Sequence, residues 1–203
     1  MQRMVVELVW KLGLLLGAGL FLAGCGAPVW PDRLGEPATA AVVTPVEATL
    51  ASSQRALALL LMTPHNVGAG FRLLGVRGGQ LHRGPGMVSV SERFRGPLAG
   101  ELYVRLSRFV TPGLARREFS LEERDIGRSS TLLPAQGVRL GDRWAGYTVE
   151  SGAGKQRSTS FGVLLIQGDY LVNVVLSGAP GSVSENRALA LAREQLGIIV
   201  GAL

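Results

Sequence analysis

Apolar and polar positions alternate most clearly in the carboxyl-terminal third of the chain. Residues 160–167 and 170–177 read as strands joined by Gly168-Asp169, a two-residue loop suited to a type II′ hairpin turn. Residues 147–150 carry a shorter strand pattern before them. A helix over about 183–199 closes the chain, with Ser182 and Glu185 as a capping box and Ala188, Leu189, Ala192 and Leu196 as its apolar face.

Upstream the same two periods recur. Leu57, Leu60 and Leu61 fall at helical spacing in residues 52–62, with Ser52 or Ser53 as cap and Thr63-Pro64 as the stop. Residues 71–76 read as a strand, and Gly78-Gly79 through Gly84-Pro85-Gly86 as a loop. Val88 and Val90 alternate with serines in a strand over 87–95. Leu102, Val104 and Leu106 alternate with Tyr103, Arg105 and Ser107 in another over 101–110. Thr111-Pro112 opens a short helix, cap then first position, through about Leu121. Strands punctuated by helices predict an α+β domain over 51–203, a single twisted antiparallel sheet packed against helices. Some 153 residues are enough for one sizeable core.

The first 50 residues follow neither period. Arg3 and Lys11 precede a short apolar run over 12–22, and Leu22, Ala23, Gly24 and Cys25 follow. Charge, apolar stretch and small residues in that order predict an export signal over 1–24, with Met4 as a second candidate start. A membrane span is disfavoured, because it needs about 20 apolar residues and Glu7 and Lys11 interrupt the run. Residues 25–50 carry Pro28, Pro31, Pro37 and Pro45 and read as a tether. Trp30 in it suits either an interfacial anchor or an ordinary exposed position.

The run Leu22-Ala23-Gly24-Cys25 resembles the lipobox of bacterial lipoproteins. The resemblance implies lipid attachment at Cys25, the chain's single cysteine, and hence membrane anchoring in the bacterial cell envelope. A lone exported thiol is an oxidation liability that acylation removes. A diacylglyceryl group plus an amide-linked acyl chain exceeds the two-signal threshold for stable anchoring.

Composition narrows the classes further. At 18% charged and 47% apolar the chain is not of the disordered type. Setting aside Arg3, Lys11 and Glu7 leaves 19 basic against 14 acidic side chains, a net charge of +5, with Lys155 as the lone lysine after residue 24. Arginine forks suit phosphate and carboxylate, so a small anionic or amphipathic ligand or an envelope protein is the expected partner. No aromatic-interleaved basic stretch points to nucleic acid. Arg116 and Arg117, beside a strand end, are the candidate anion-binding pair, although adjacent helical residues do not share a face.

No motif carries catalysis. Gly152-Ala153-Gly154-Lys155 lacks the first glycine and the Ser or Thr of a phosphate loop, having Val149 and Gln156 there. Gly68-Ala69-Gly70 lacks the third glycine of a dinucleotide fingerprint. Gly127-Arg128-Ser129-Ser130-Thr131 has threonine where a nucleophile elbow needs glycine. His65 and His82, both read as loop residues, form no metal pattern, and Glu122, Glu123 and Asp125 are expected to pair internally with arginines rather than hold calcium. No cofactor and no catalytic residue is expected; an envelope hydrolase with an unrecognised site, using His65 or His82 as base, is the competing reading.

The order of elements, with YVRLSRFVTPGLARREF, the Leu140-Gly141-Asp142 turn, the hairpin FGVLLIQGDYLVNVVLSG and the helix ENRALALAREQLGII, resembles exported proteins of the Mog1/PsbP-like type. That resemblance implies a non-enzymatic binding, assembly or sensing domain and transfers no site residue; Arg143-Trp144 after the turn departs from the pattern.

Overall fold

Successive residues of a strand point to opposite faces, so a strand that is apolar at every position must be covered on both sides. The run Val163-Leu164-Leu165-Ile166 is buried throughout, and the architecture follows from it. The computed structural model describes residues 53–75, 80–84, 86–97, 100–134, 138–153 and 157–203. The expected signal, lipobox with Cys25 and tether lie outside these residues, as do Ser52, Gly154 and Lys155.

The chain is helical over 53–59 (α1) and Pro64–Val67 (α2). The strands β1 (Arg72–Leu74), β2 (Gln80–Gly84), β3 (Met87–Arg95) and β4 (Glu101–Phe109) come next. Helix α3 (Pro112–Ser129) leads to β5 (Thr131–Leu133), β6 (Arg143–Ser151), β7 (Ser158–Gln167) and β8 (Tyr170–Gly178), and α4 (Glu185–Gly201) ends the fold. The strands form one antiparallel sheet in the order β1-β3-β4-β8-β7-β6-β5, with β2 also paired to β3. The expected α+β class is what the structure holds.

One face buries Val104, Leu106, Val163, Leu165, Val172 and Val174 against Leu57, Leu61 and Met62 and against Ala188, Leu189, Leu191, Ala192 and Ile199 of α4. Gln195 of α4 is fully buried there. It accepts from Met62 N at 3.1 Å and donates to the Leu60 carbonyl at 2.6 Å, so the segment after α1 is tied to α4 by its otherwise orphaned backbone groups. The opposite face buries Leu164, Ile166, Leu171, Ala145 and Phe109 against Ala115 and Phe119 of α3.

Several sequence expectations shift in detail. The helix expected to stop near Leu121 runs to Ser129. The strand expected over 147–150 begins at Arg143, and that over 71–76 is confined to Arg72–Leu74. Strand β2 lies inside the expected 78–86 loop, which places His82 in the sheet, and His65 lies in α2 rather than a loop. The first helix, expected through Met62, ends at residue 59, and Thr63-Pro64 instead starts α2: Thr63 Oγ1 accepts from Asn66 N while Asn66 Oδ1 accepts from Thr63 N. The closing helix is capped by Ser184, which accepts from Arg187 N, whereas the Ser182 hydroxyl donates to the Ala179 carbonyl in the preceding turn.

The β7–β8 hairpin pairs Gln167 with Tyr170 across Gly168-Asp169, as expected. Gly168 sits at φ +60° with open space around it, so a side chain there suffers only backbone strain. Gly162 differs, because the Tyr147 ring lies over it and a Cβ would fall inside that ring. Gly168→Val is expected to cost about 1 kcal/mol, and Gly162→Ala about 1–3 kcal/mol through overpacking. Denaturant midpoints check the ranking; a smaller loss for Gly162→Ala contradicts this packing.

Candidate functional site

Helix α3 is amphipathic in an unusual way. Of its 18 residues Ala115 and Phe119 are fully buried and Ile126 is partly buried against the same core, a small apolar area for a helix of this length. Its carboxylates add to that contact. Glu122 pairs with Arg105 of β4, and Glu123 pairs with Arg143 of β6. The Arg143 guanidinium also lies 4.8 Å from the centre of the Phe119 ring, adding a cation–π contact at the middle of the helix.

The Arg105–Glu122 pair is mostly withdrawn from water, with side chains 27% and 21% exposed. Burial pushes the Glu122 carboxyl above its ordinary range despite the opposing guanidinium. Burial works against the Arg105 charge too, but Glu122 and the neighbouring phenols of Tyr103 and Tyr147 outweigh it and hold Arg105 above its ordinary value. Around this pair the α3 side of the sheet is polar. Ser89 and Ser107 share a buried hydrogen bond of 2.9 Å, Arg93 stacks 5.7 Å from the Tyr103 ring centre, and Tyr147 Oη donates to Asn173 Oδ1 at 3.0 Å.

With its carboxylates turned inward, α3 presents arginines outward. Arg116, Arg117 and Arg124 are exposed and make no ion pair among the described residues; Arg128 pairs with Asp125. Arg117 and Arg124, two turns apart, share the side away from Ala115 and Phe119. Arg116, of the candidate pair Arg116/Arg117, is rotated by about 100° from Arg117, so it is Arg117 and Arg124 that lie on one side of the helix. Internal pairing of Glu122, Glu123 and Asp125 is found as expected, but two of the three partners, Arg105 and Arg143, come from strands. Arg124 and these strand arginines were not singled out in the sequence, where only tertiary placement distinguishes them.

The elbow-like segment 127–131 runs from helix to strand, the reverse of the order an elbow needs. Ser129 and Ser130 both donate their hydroxyls to carbonyls of the last turn of α3. They line an open groove of about 510 Å³ with Arg128, Thr131, Thr148, Val149 and Glu150. His65 belongs to α2, whose Val67 enters the core on the other side of the sheet, so the sheet separates it from these serines. Among the described residues no cluster of three or more His, Cys, Asp or Glu suits a metal, and no helix is long and apolar enough to cross a membrane.

No protein-family model matches the chain, and no curated protein matches it significantly. Among solved structures, the chain is similar to the extracellular domain of PknH from Mycobacterium tuberculosis, with a TM-score of 0.48 and 9% identity over 73% of this chain and 96% of that one. It is also similar to a protein of Bacteroides thetaiotaomicron VPI-5482, with a TM-score of 0.35 and 17% identity over 60% of this chain and 43% of that one.

Tyr147 gives the polar face a measurable property. Burial pushes its phenol up to about 12 from 10.0, against the opposing influence of Asn173 and Arg105. The folded chain therefore holds this proton more tightly than the unfolded chain. Its contribution is fully present below pH ~10 and is lost as pH rises through ~12, which amounts to about 2–3 kcal/mol. Denaturation of wild type and Tyr147→Phe from pH 9 to 12 checks this: the wild type is expected to lose that increment relative to the variant, and parallel curves contradict it.

Proposed function

We propose that the chain is a lipid-anchored lipoprotein of the bacterial cell envelope, attached through Cys25, whose α+β domain is a non-catalytic binding module that engages an anionic partner with the outer side of α3. The observation that carries the binding part is the sorting of charge on that helix. Glu122 and Glu123 are engaged by Arg105 and Arg143 beneath the helix, while Arg117 and Arg124, with no acid three or four residues away on α3, make no ion pair among the described residues. A planar guanidinium without an internal partner is suited to phosphate or carboxylate from another molecule.

The anchoring part rests on the run Leu22-Ala23-Gly24-Cys25 behind a charged and apolar leader. The hydrolase alternative requires a histidine beside a nucleophile; the sheet separates His65 from Ser129 and Ser130, and Ser89, in register with His82, has its hydroxyl engaged by Ser107.

Two measurements test the reading. Cys25→Ser is expected to abolish incorporation of labelled palmitate and leave an unprocessed or released form; labelling at the normal level contradicts the anchor. In recovery of partners from the native envelope, Arg117→Ala/Arg124→Ala is expected to lose most of what wild type retains, while His65→Ala/His82→Ala, verified as folded, retains it. The opposite pattern makes the hydrolase reading the better one.

A further inference from the structure

Exposed apolar side chains accompany the free arginines of α3. Val110, just before the helix, is 74% exposed, Leu114 is 37% exposed and Leu121 is 41% exposed. Val110 and Leu114 lie together over Gly86, and Leu121 follows Leu114 by two turns beside Arg117 and Arg124. The acids nearest this side are Asp125, already paired with Arg128, and Glu118, which is half-buried. The outer side of α3 thus combines a few apolar side chains with unneutralised guanidinium groups.

We infer that this side of α3 rests on an anionic lipid surface, the headgroup layer of the bilayer that holds the chain. The inference rests on the lipoprotein reading and names the anionic partner. A protein partner needs a complementary area of roughly 800 Å² on each side, whereas the exposed apolar part of this patch is Val110, Leu114 and Leu121. A bilayer asks for no matching shape. Leucine and valine enter the acyl boundary by a few ångström while arginines remain at the phosphates. The 26 residues from Cys25 to residue 50 bound the separation of domain and membrane at about 90 Å. At that separation the effective concentration of headgroups is high enough for a weak surface attraction to orient the domain.

The test uses the full acylated chain in vesicles. Leu121→Cys carries a fluorophore; acylated Cys25 leaves the introduced thiol as the reactive one. Quenching by headgroup-proximal spin-labelled lipid is compared between phosphatidylglycerol and phosphatidylcholine vesicles. Leu59→Cys serves as the control, since Leu59 is exposed on α1, across the sheet from α3. Quenching at position 121 is expected to exceed that at 59 in phosphatidylglycerol alone. Arg117→Glu/Arg124→Glu should abolish the difference, each arginine contributing about fivefold to surface attraction. Equal quenching at the two positions, or undiminished quenching in the charge-reversed variant, overturns the inference. Mass spectrometry of the residue-25 peptide separates the failures. An unacylated Cys25 removes the lipoprotein reading and this inference with it. An acylated Cys25 with Leu121 unquenched leaves the lipoprotein standing and makes the partner of α3 a protein.

Discussion

Arg105 and Glu122 meet where α3 crosses β4, and the arrangement of charge over that side of the molecule depends on their meeting. A helix that holds the sheet with Ala115, Phe119 and a partly buried Ile126 has a small apolar contact, and the carboxylates that find cations below add to it. Glu122 and Glu123 do so through Arg105 and Arg143. Arg116, Arg117 and Arg124 stand one, two, five, six or seven residues from Glu122 and Glu123, never three or four, so they do not meet these acids across a helical turn. The basic outer side therefore follows from the phase of the sequence on the helix, with the paired carboxylates on the side that docks. The upward displacement of Glu122 by burial shows that desolvation is a large cost for this pair, which makes it a device for register more than for net stability.

The other face needs no such device. Helix α4 buries Ala188, Leu189, Leu191, Ala192 and Ile199, and Gln195 resolves the backbone polar groups of the segment after α1. The two faces of one sheet are thus held by different physics, a broad apolar core beneath α4 and a smaller core with ion pairs beneath α3. Helix α3 also carries the chain from β4 to the far edge at β5, after which β6, β7 and β8 return strand by strand to pair with β4. The energetically weaker layer is therefore also the long crossover connection.

What was legible in the sequence follows from this division. The β7–β8 hairpin was readable because Gly168-Asp169 separates two runs of strand-forming residues, and α4 because its apolar face is regular. The second half of α3 was not, since between Phe119 and Ile126 the docking face is filled by Glu122 and Glu123, whose partners Arg105 and Arg143 lie 17 and 20 residues away. Strand β5 has three residues, too few for alternation to register. Ser182 was mistaken for the cap of α4 because Glu185 stands three residues after it, whereas Ser184 holds the position that reaches Arg187 N. For the candidate site, the sequence singled out Arg116 and Arg117 and predicted internal pairing of the acids, but that Glu122 and Glu123 find their partners in Arg105 and Arg143 of the strands is a tertiary event.

A double-mutant cycle on Arg105 and Glu122, read by denaturant unfolding, tests the docking of α3 most directly. Arg105→Met and Glu122→Leu are each expected to cost about 3 kcal/mol, because each leaves a half-buried charge alone. Together they are expected to return to within about 1 kcal/mol of wild type, a coupling of several kcal/mol. Additive losses in the double variant would contradict the claim that this pair holds α3 on the sheet.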